Sequence, residues 1–437
     1  MKNSLFASIL LVLVLGVHSG CTTHHQWRTS PVACRTTETN TPCETAIIEE
    51  TSSYVLGFVE FDDQGWLWSR DQMNTVINRL EKEEATDRLL ILTFVHGWKH
   101  NARYDDTNVQ MMRDNLRLLS LLERLNSKRE GRKPRKVVGV YAGWRGLSAT
   151  MWGIKDFTFW ERKNTAHEVG RGALSELFLR LEYLRNMSHV LHDGETNQTR
   201  LFIVGHSFGG AATYSALAPM LVERAIQTVD RKGNGGPSRG VGDMVILVNP
   251  AFEAARFGVL RDVAINQTYL VSNMVNLAIF TSKTDNATKL AFPLGRHVST
   301  VFEKYQSEVE KAANRTAVGH FSEYITHDLT ANTNKVVGSK TSRLREQMAD
   351  ADQMSERVVQ MKGQNRRALQ KTIVSAEEGT FHFIGSDLVV RRGHDPWMPL
   401  YNVSVDSRLI PDHNAIDEPE FLRFLSQFLT AFEPLEK

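Results

Sequence analysis

Short apolar runs without polar alternation, separated by longer stretches of helical pattern, constrain this chain more than any other feature. Leu89 to Val95, Val137 to Tyr141, Leu201 to Val204, Met244 to Val248 and Val275 to Phe280 are such runs. A strand with one wet face alternates; these do not, and are expected to be buried on both faces, as in a parallel sheet covered by helices. Helical pattern fills the intervals, from about Asp106 to Leu125, Thr165 to Val190 and Gly209 to Leu221. Strand and helix in turn imply right-handed crossovers and an α/β fold: a mostly parallel, doubly wound sheet with helices on both faces. Tyr54 to Phe61 and the turn Asp62-Asp63-Gln64-Gly65 before Trp66-Leu67-Trp68 predict an opening hairpin. Phe381 to Val390 and Leu400 to Val405 predict late strands, and Glu418 to Phe432 a closing helix. Before them, residues 296–375 read as a polar, mostly helical insertion, either on the surface or as a cap over a site.

A hydrophobic fraction of 41% over 437 residues supports a substantial core. The formal net charge of +2 gives no strong field, so charge alone implies neither nucleic acid nor an acidic partner. The basic run from Lys128 to Lys136 is read as a solvated loop, with contact to anionic lipid as the other reading. Gly233-Asn234-Gly235-Gly236 lacks the Lys-Ser/Thr that a phosphate-cradling loop needs.

The first twenty residues stand apart. Lys2 gives a short positive start, Leu5 to Val17 is apolar, and His18-Ser19-Gly20-Cys21 follows. A run this short suits an export signal over residues 1–20 better than a membrane span. Small residues directly before Cys21 resemble a bacterial lipoprotein cleavage site, which implies acylation of Cys21 and a cell-envelope location. His18 stands where that pattern has Leu, and ordinary cleavage nearby is the other reading. Residues 21–50, rich in Thr and Ser, are expected to form a lipid-anchored flexible linker, leaving 51–437 as the folded domain. Cys34 and Cys43 either close a short loop containing Pro42 in an oxidising compartment or remain free thiols.

Phe202-Ile203-Val204-Gly205-His206-Ser207-Phe208-Gly209-Gly210 carries the chemistry. A serine hydroxyl is a poor nucleophile and must be held against a base. A sharp strand-to-helix turn, with glycines two before and two after, projects such a hydroxyl and turns the next amide toward the substrate oxygen. A buried-type strand precedes this serine and the small residues Ala211-Ala212 continue into a helix.

From Leu89 onward the chain resembles the α/β-hydrolase superfamily, and in particular bacterial esterase/lipase-like serine hydrolases with a His-Gly-aromatic turn. The resemblance implies the α/β-hydrolase fold, Ser207 as nucleophile, and an oxyanion hole. Its donors would be the amides of Phe208 and of Trp98, the latter in Thr93-Phe94-Val95-His96-Gly97-Trp98. His96 is then a loop support, because the family's base follows its nucleophile. Of the histidines after Ser207 (His297, His320, His327, His382, His394 and His413), His413 lies between a late strand and the closing helix, where the family carries its base. His394 is the reserve. Family order places the acid at Asp285, with Glu253, one strand earlier, as the alternative. The implied activity is cleavage of carboxylic esters of small molecules or lipids through an acyl-enzyme, with no cofactor, metal or nucleic acid required. Aromatic residues from Trp144 to Trp160 would wall an acyl pocket or simply pack a long loop. The competing expectation is a non-catalytic envelope lipoprotein that uses the fold as a binding surface.

Overall fold

The computed structural model describes residues 25–35, 43–146, 158–195, 197–228, 239–267, 269, 275–300, 302–332, 351, 379–394 and 398–431. The signal segment with Cys21, the Met151 to Phe157 part of the aromatic loop, the glycine-rich 233–236 and most of 333–378 lie outside them.

The apolar runs become β4 (Leu89–Val95), β5 (Lys136–Gly143), β6 (Arg200–His206), β7 (Met244–Val248) and β8 (Leu277–Ser282), joined by β3 (Tyr54–Glu60) and β12 (Leu400–Val405). The chain is α/β: together with β1 (Cys34–Arg35), β2 (Ile48–Glu50), β9 (His327–Ala331), β10 (Thr380–Phe383) and β11 (Ser386–Val390), the described strands form one 12-stranded sheet in the order β1-β2-β3-β5-β4-β6-β7-β8-β12-β9-β11-β10. From β3 through β9 (His327–Ala331) neighbouring strands are parallel. Successive residues of each central strand enter different cores. Ile91, Val95, Leu201, Ile203 and Leu247 pack on one face with α1 (Arg70–Glu84), α3 (Thr158–Arg171), α4 (Ala173–Leu191), α5 (Phe208–Ile226) and α6 (Ala254–Ile265). Leu90, Phe94, Phe202, Ile246 and Phe280 pack on the other with α2 (Thr107–Glu130) and the closing α9 (Pro419–Ala431). Both faces are dry, which is why the runs do not alternate.

Asp106 caps α2 by accepting from Asn108 N, and Gly131 ends it at φ 68°. The single helix expected over 165–190 is two. At the break, Ala173 N donates to Gly65 O (2.8 Å), and a Cβ on Gly172 would stand 2.2 Å from that oxygen. The expected opening hairpin reduces to one bridge, Phe61 with Leu67; β3 takes its neighbours from β2 (Ile48–Glu50) and β5 instead.

One sequence reading needs correction. The stretch read as a flexible linker is partly folded: β1 (Cys34–Arg35) and β2 belong to the sheet, and Cys34 is joined to Cys43. The cause is polar. The fully buried Arg28 donates to Glu49 (2.9 Å), Cys43 O (2.9 Å) and Ala102 O (2.8 Å), and its guanidinium lies 3.7 Å over the Phe58 ring. A network of this kind leaves no apolar signature in sequence. The described part of the insertion read over 296–375 holds a strand besides its helices. After α7 (Phe292–Ser299) and α8 (Glu308–Arg315), β9 joins the sheet between β12 and β11 (Ser386–Val390), which pairs in turn with β10 (Thr380–Phe383). The basic run is largely ion-paired: Arg132 meets Glu123 and Glu130, Lys133 meets Asp87, and Lys136 meets Glu83.

Candidate active site

Ser207 stands between β6 and α5 with φ 55° and ψ −119°, a conformation L-residues rarely adopt. It is held there by bonds to the next strand: its N–H donates to Val248 O (3.0 Å), and its carbonyl accepts from Ala251 N (3.1 Å). Gly209 is required by close approach, since a Cβ there would lie 2.1 Å from Val95 O. The tight turn brings the Oγ of Ser207 to the positive end of α5.

His413, in the loop between β12 and α9, places Nε2 2.7 Å from Ser207 Oγ. Its Nδ1 lies 2.9 Å from Asp285 Oδ1. The approach is bent away from good hydrogen-bond alignment, as contacts that tighten only with substrate often are. Asp285 is fully buried beyond the end of β8. Its Oδ1 accepts from Ala287 N (3.0 Å) and Thr288 N (3.1 Å), and its Oδ2 from the Thr288 hydroxyl. Burial alone would raise this carboxyl; the bonds and charge from His413 and Thr288 outweigh it and hold the group below its ordinary range. Sequence-predicted Ser207, His413 and Asp285 are thus brought into one contiguous chain.

Glu253 lies elsewhere. It bonds Lys163, Arg256 (2.8 Å) and Arg296 (3.2 Å) in a buried ion cluster. Burial opposes its ionisation, but these cations bring its pKa down to about 2. The other histidines are also occupied elsewhere. His394 bonds near Ile325 and Arg391, His297 bonds Pro293 O (2.7 Å), His382 pairs with Asp387, and His327 is buried beside Thr326. His320 alone comes near, 3.0 Å from the Thr288 hydroxyl that serves Asp285.

The turn with Trp98 abuts Ser207: a Cβ on Gly97 would stand 2.9 Å from Ser207 Cβ. Phe208, the other expected donor, is the first residue of α5. His96 braces the turn from below. Its Nδ1 lies 2.9 Å from Gly97 O, and its Nε2 accepts from Trp144 N (3.0 Å), so the proton sits on Nδ1. Its ring stacks between Tyr141 and Trp144, and burial lowers its pKa to about 4. The neutral form persists.

A further group of residues escaped the sequence reading. Four consecutive carbonyls of the histidine loop are each held by a side chain from the end of β6, β7 or β8. Ile410 O accepts from Ser282 Oγ (2.5 Å), Pro411 O from Thr284 Oγ1 (2.8 Å), and Asp412 O from Asn249 Nδ2 (3.4 Å). His413 O accepts from Asn249 Nδ2 (2.9 Å) and His206 Nε2 (2.8 Å). Asn249 has φ 47°, and its Oδ1 also accepts from Ser282 N (2.9 Å). Burial, with the nearby charge of His413, lowers the His206 pKa to about 3. The sequence signal was present but unspecific: each buried strand ends on a polar residue (Gly-His, Val-Asn, Thr-Ser).

Among the described residues no group of three or more His, Cys, Asp or Glu is placed to hold a metal ion. No family model matches this chain, and no curated protein matches it.

Proposed function

We propose that this protein is an α/β-hydrolase-type serine hydrolase that cleaves carboxylic esters through an acyl-enzyme. The observation that carries the reading is the chain Ser207 Oγ, His413 Nε2, His413 Nδ1, Asp285 Oδ1, with separations of 2.7 and 2.9 Å. A hydroxyl that close to an imidazole, itself backed by a buried carboxylate, is arranged for general-base activation. Ser207 Oγ attacks the acyl carbonyl while its proton passes to Nε2, and the amides of Phe208 and Trp98 receive the oxyanion. The tetrahedral species collapses with transfer of that proton to the departing alcohol. Water then repeats the sequence on the acyl-enzyme and releases the acid. Asp285 stays ionised and stabilises the imidazolium.

We further infer an exported, lipid-anchored protein acting on small-molecule or lipid esters. The export-type N-terminus and Cys21 support this, as does the Cys34–Cys43 disulfide, a bond kept in oxidising compartments. Among the described residues no helix is long and apolar enough to cross a membrane.

The test is reaction with a fluorophosphonate probe. The parent should label and the Ser207→Ala and His413→Ala variants should not. A folded parent that fails to label would overturn the enzyme reading in favour of a binding protein.

A further inference from the structure

We propose that the protein docks on a phospholipid bilayer through the catalytic end of its sheet, held by a short tether from a lipidated Cys21. This rests on the lipid-anchor reading above and adds which face meets the membrane.

The tether is short because the fold takes hold early. Trp27 N donates to both carboxylate oxygens of Glu60 (3.1 and 3.0 Å), Arg28 N donates to Oε1 (2.7 Å), and Arg28 is fully buried. An extended chain spans at most about 3.6 Å per residue, so Cys21 lies within about 22 Å of Trp27. A free linker reaching residue 50 would have a root-mean-square length of about 30 Å and would leave the domain to turn at will.

Glu60 ends β3, and the strand register fixes where that is. Glu60 pairs with Gly143, while Val95 pairs with both Ala142 and Gly205. Strands β3, β5, β4 and β6 are consecutive and parallel, so Glu60 and Ser207 stand at the same end of the sheet. Three strand spacings separate β3 from β6, about 15 Å. A lipid on Cys21 draws this end to the membrane.

The end is dressed for an interface. Trp66, in the turn after β3, and Val32, just before β1, are each 73% exposed. The Lys99 ammonium stands 3.9 Å over the Trp98 ring, and the Arg103 guanidinium, ion-paired with Asp105, stands 5.9 Å from the Trp27 ring centre. Indoles beside cations suit the headgroup region of an anionic bilayer. A more apolar stripe exists on α4, where Tyr183, Val190 and Leu191 are exposed. That helix begins beside Gly65 and runs to the far end of the sheet, where His189 meets Thr199 at the start of β6. With the catalytic end against lipid, the ester that reaches Ser207 is one presented by the bilayer itself.

The experiment uses the full chain, purified from membranes and reconstituted in vesicles of phosphatidylethanolamine and phosphatidylglycerol. With Cys21 acylated and Cys34 paired to Cys43, a cysteine introduced by Gln64→Cys or Leu191→Cys is the single free thiol for a fluorophore. Nitroxide-labelled lipid should quench the label at position 64 severalfold and leave the label at 191 unchanged. Quenching at 191 without quenching at 64 overturns the proposal in favour of the α4 stripe. No quenching at either position in a membrane-bound chain overturns it as well. The Cys21→Ser chain should leave the vesicles; binding that survives this change removes the tether and the proposal with it. Hydrolysis of a short soluble ester reports on Ser207 separately, so failure of the catalytic reading is distinguishable from failure of the docking face.

Discussion

Replacing Asp285 by Asn separates the roles of the two buried carboxylates near the sheet's catalytic end. The exchange is nearly isosteric, and the surroundings decide how the amide sits. Ala287 N and Thr288 N both donate to Oδ1, so the amide oxygen takes that position and still faces His413 Nδ1. The amide nitrogen takes the place of Oδ2, where it donates to Thr288 Oγ1, and the threonine hydroxyl turns to His320 Nε2, 3.0 Å away. Fold and imidazole tautomer are retained, and what is lost is the charge. Two unit charges about 4 Å apart at an effective dielectric near 20 interact by about 4 kcal/mol, an upper figure for the imidazolium stabilisation that disappears. At 1.36 kcal/mol per decade this is a fall of about 10³ in turnover, with little change in stability. Glu253→Gln should do the reverse. It leaves Lys163, Arg256 and Arg296 around an uncharged group, costing about 3 kcal/mol or more of stability, while turnover changes by less than a few fold. The assay is the second-order rate of fluorophosphonate labelling alongside urea unfolding for both variants. A loss of less than tenfold for Asp285→Asn, or a larger one for Glu253→Gln, would refute the assignment of the acid.

Ser207→Gly and Ser207→Ala should both abolish labelling, but only glycine relaxes the φ 55° turn. Calorimetry should show the glycine variant about 1 kcal/mol more stable than the alanine variant, and equal values would mean the turn stores no strain. Asn249→Gly keeps a left-handed conformation accessible and removes the side chain that grips Asp412, His413 and Ser282. Turnover should fall about tenfold with KM for a soluble ester unchanged, since each lost buried bond is worth about 1–3 kcal/mol; unaltered kinetics would show that the clamp does not position His413. Stability should also decline on mild acidification. His96, at about 4, and His167, His206 and His327, each at about 3, are depressed by burial. Below about pH 6.5 the unfolded chain therefore binds more protons than the folded one. Their contribution is complete above that pH and is lost toward pH 3–4, at up to about 1.4 kcal/mol per pH unit per group. Asp285, with its lowered carboxyl, loses its contribution only below the ordinary carboxylate range. A urea midpoint that does not move between pH 7.5 and 5 would contradict this account.

The parts legible in sequence were those written as local pattern. Leu400–Val405 reads as a strand because it is apolar throughout, and Ser207 is conspicuous because its turn needs glycines at fixed offsets. His413 and Asp285 follow from chain order in a resembled family. The rest depends on which strands become neighbours. His206, Asn249 and Ser282 end three strands far apart in sequence, and nothing local says that those ends meet the loop after β12. Arg28 and Glu49 were equally silent, because a polar network can order a segment that composition assigns to a linker. β9 went unread because its polar residues alternate into a part-buried strand.

The position of β12 also bears on when the site can exist. It lies between β8 and β9, both earlier in the chain, and His413, in the loop after it, follows Ser207 by 206 residues. The sheet from β3 to β8, with Ser207 in its strained turn, draws on residues made well before His413. His413 therefore arrives only with β12, a strand inserted between two that precede it in the chain. A nascent chain that has not yet reached His413 has Ser207 without its imidazole partner, and on the proposed reading its hydroxyl stays inert until β12 and the loop after it are in place.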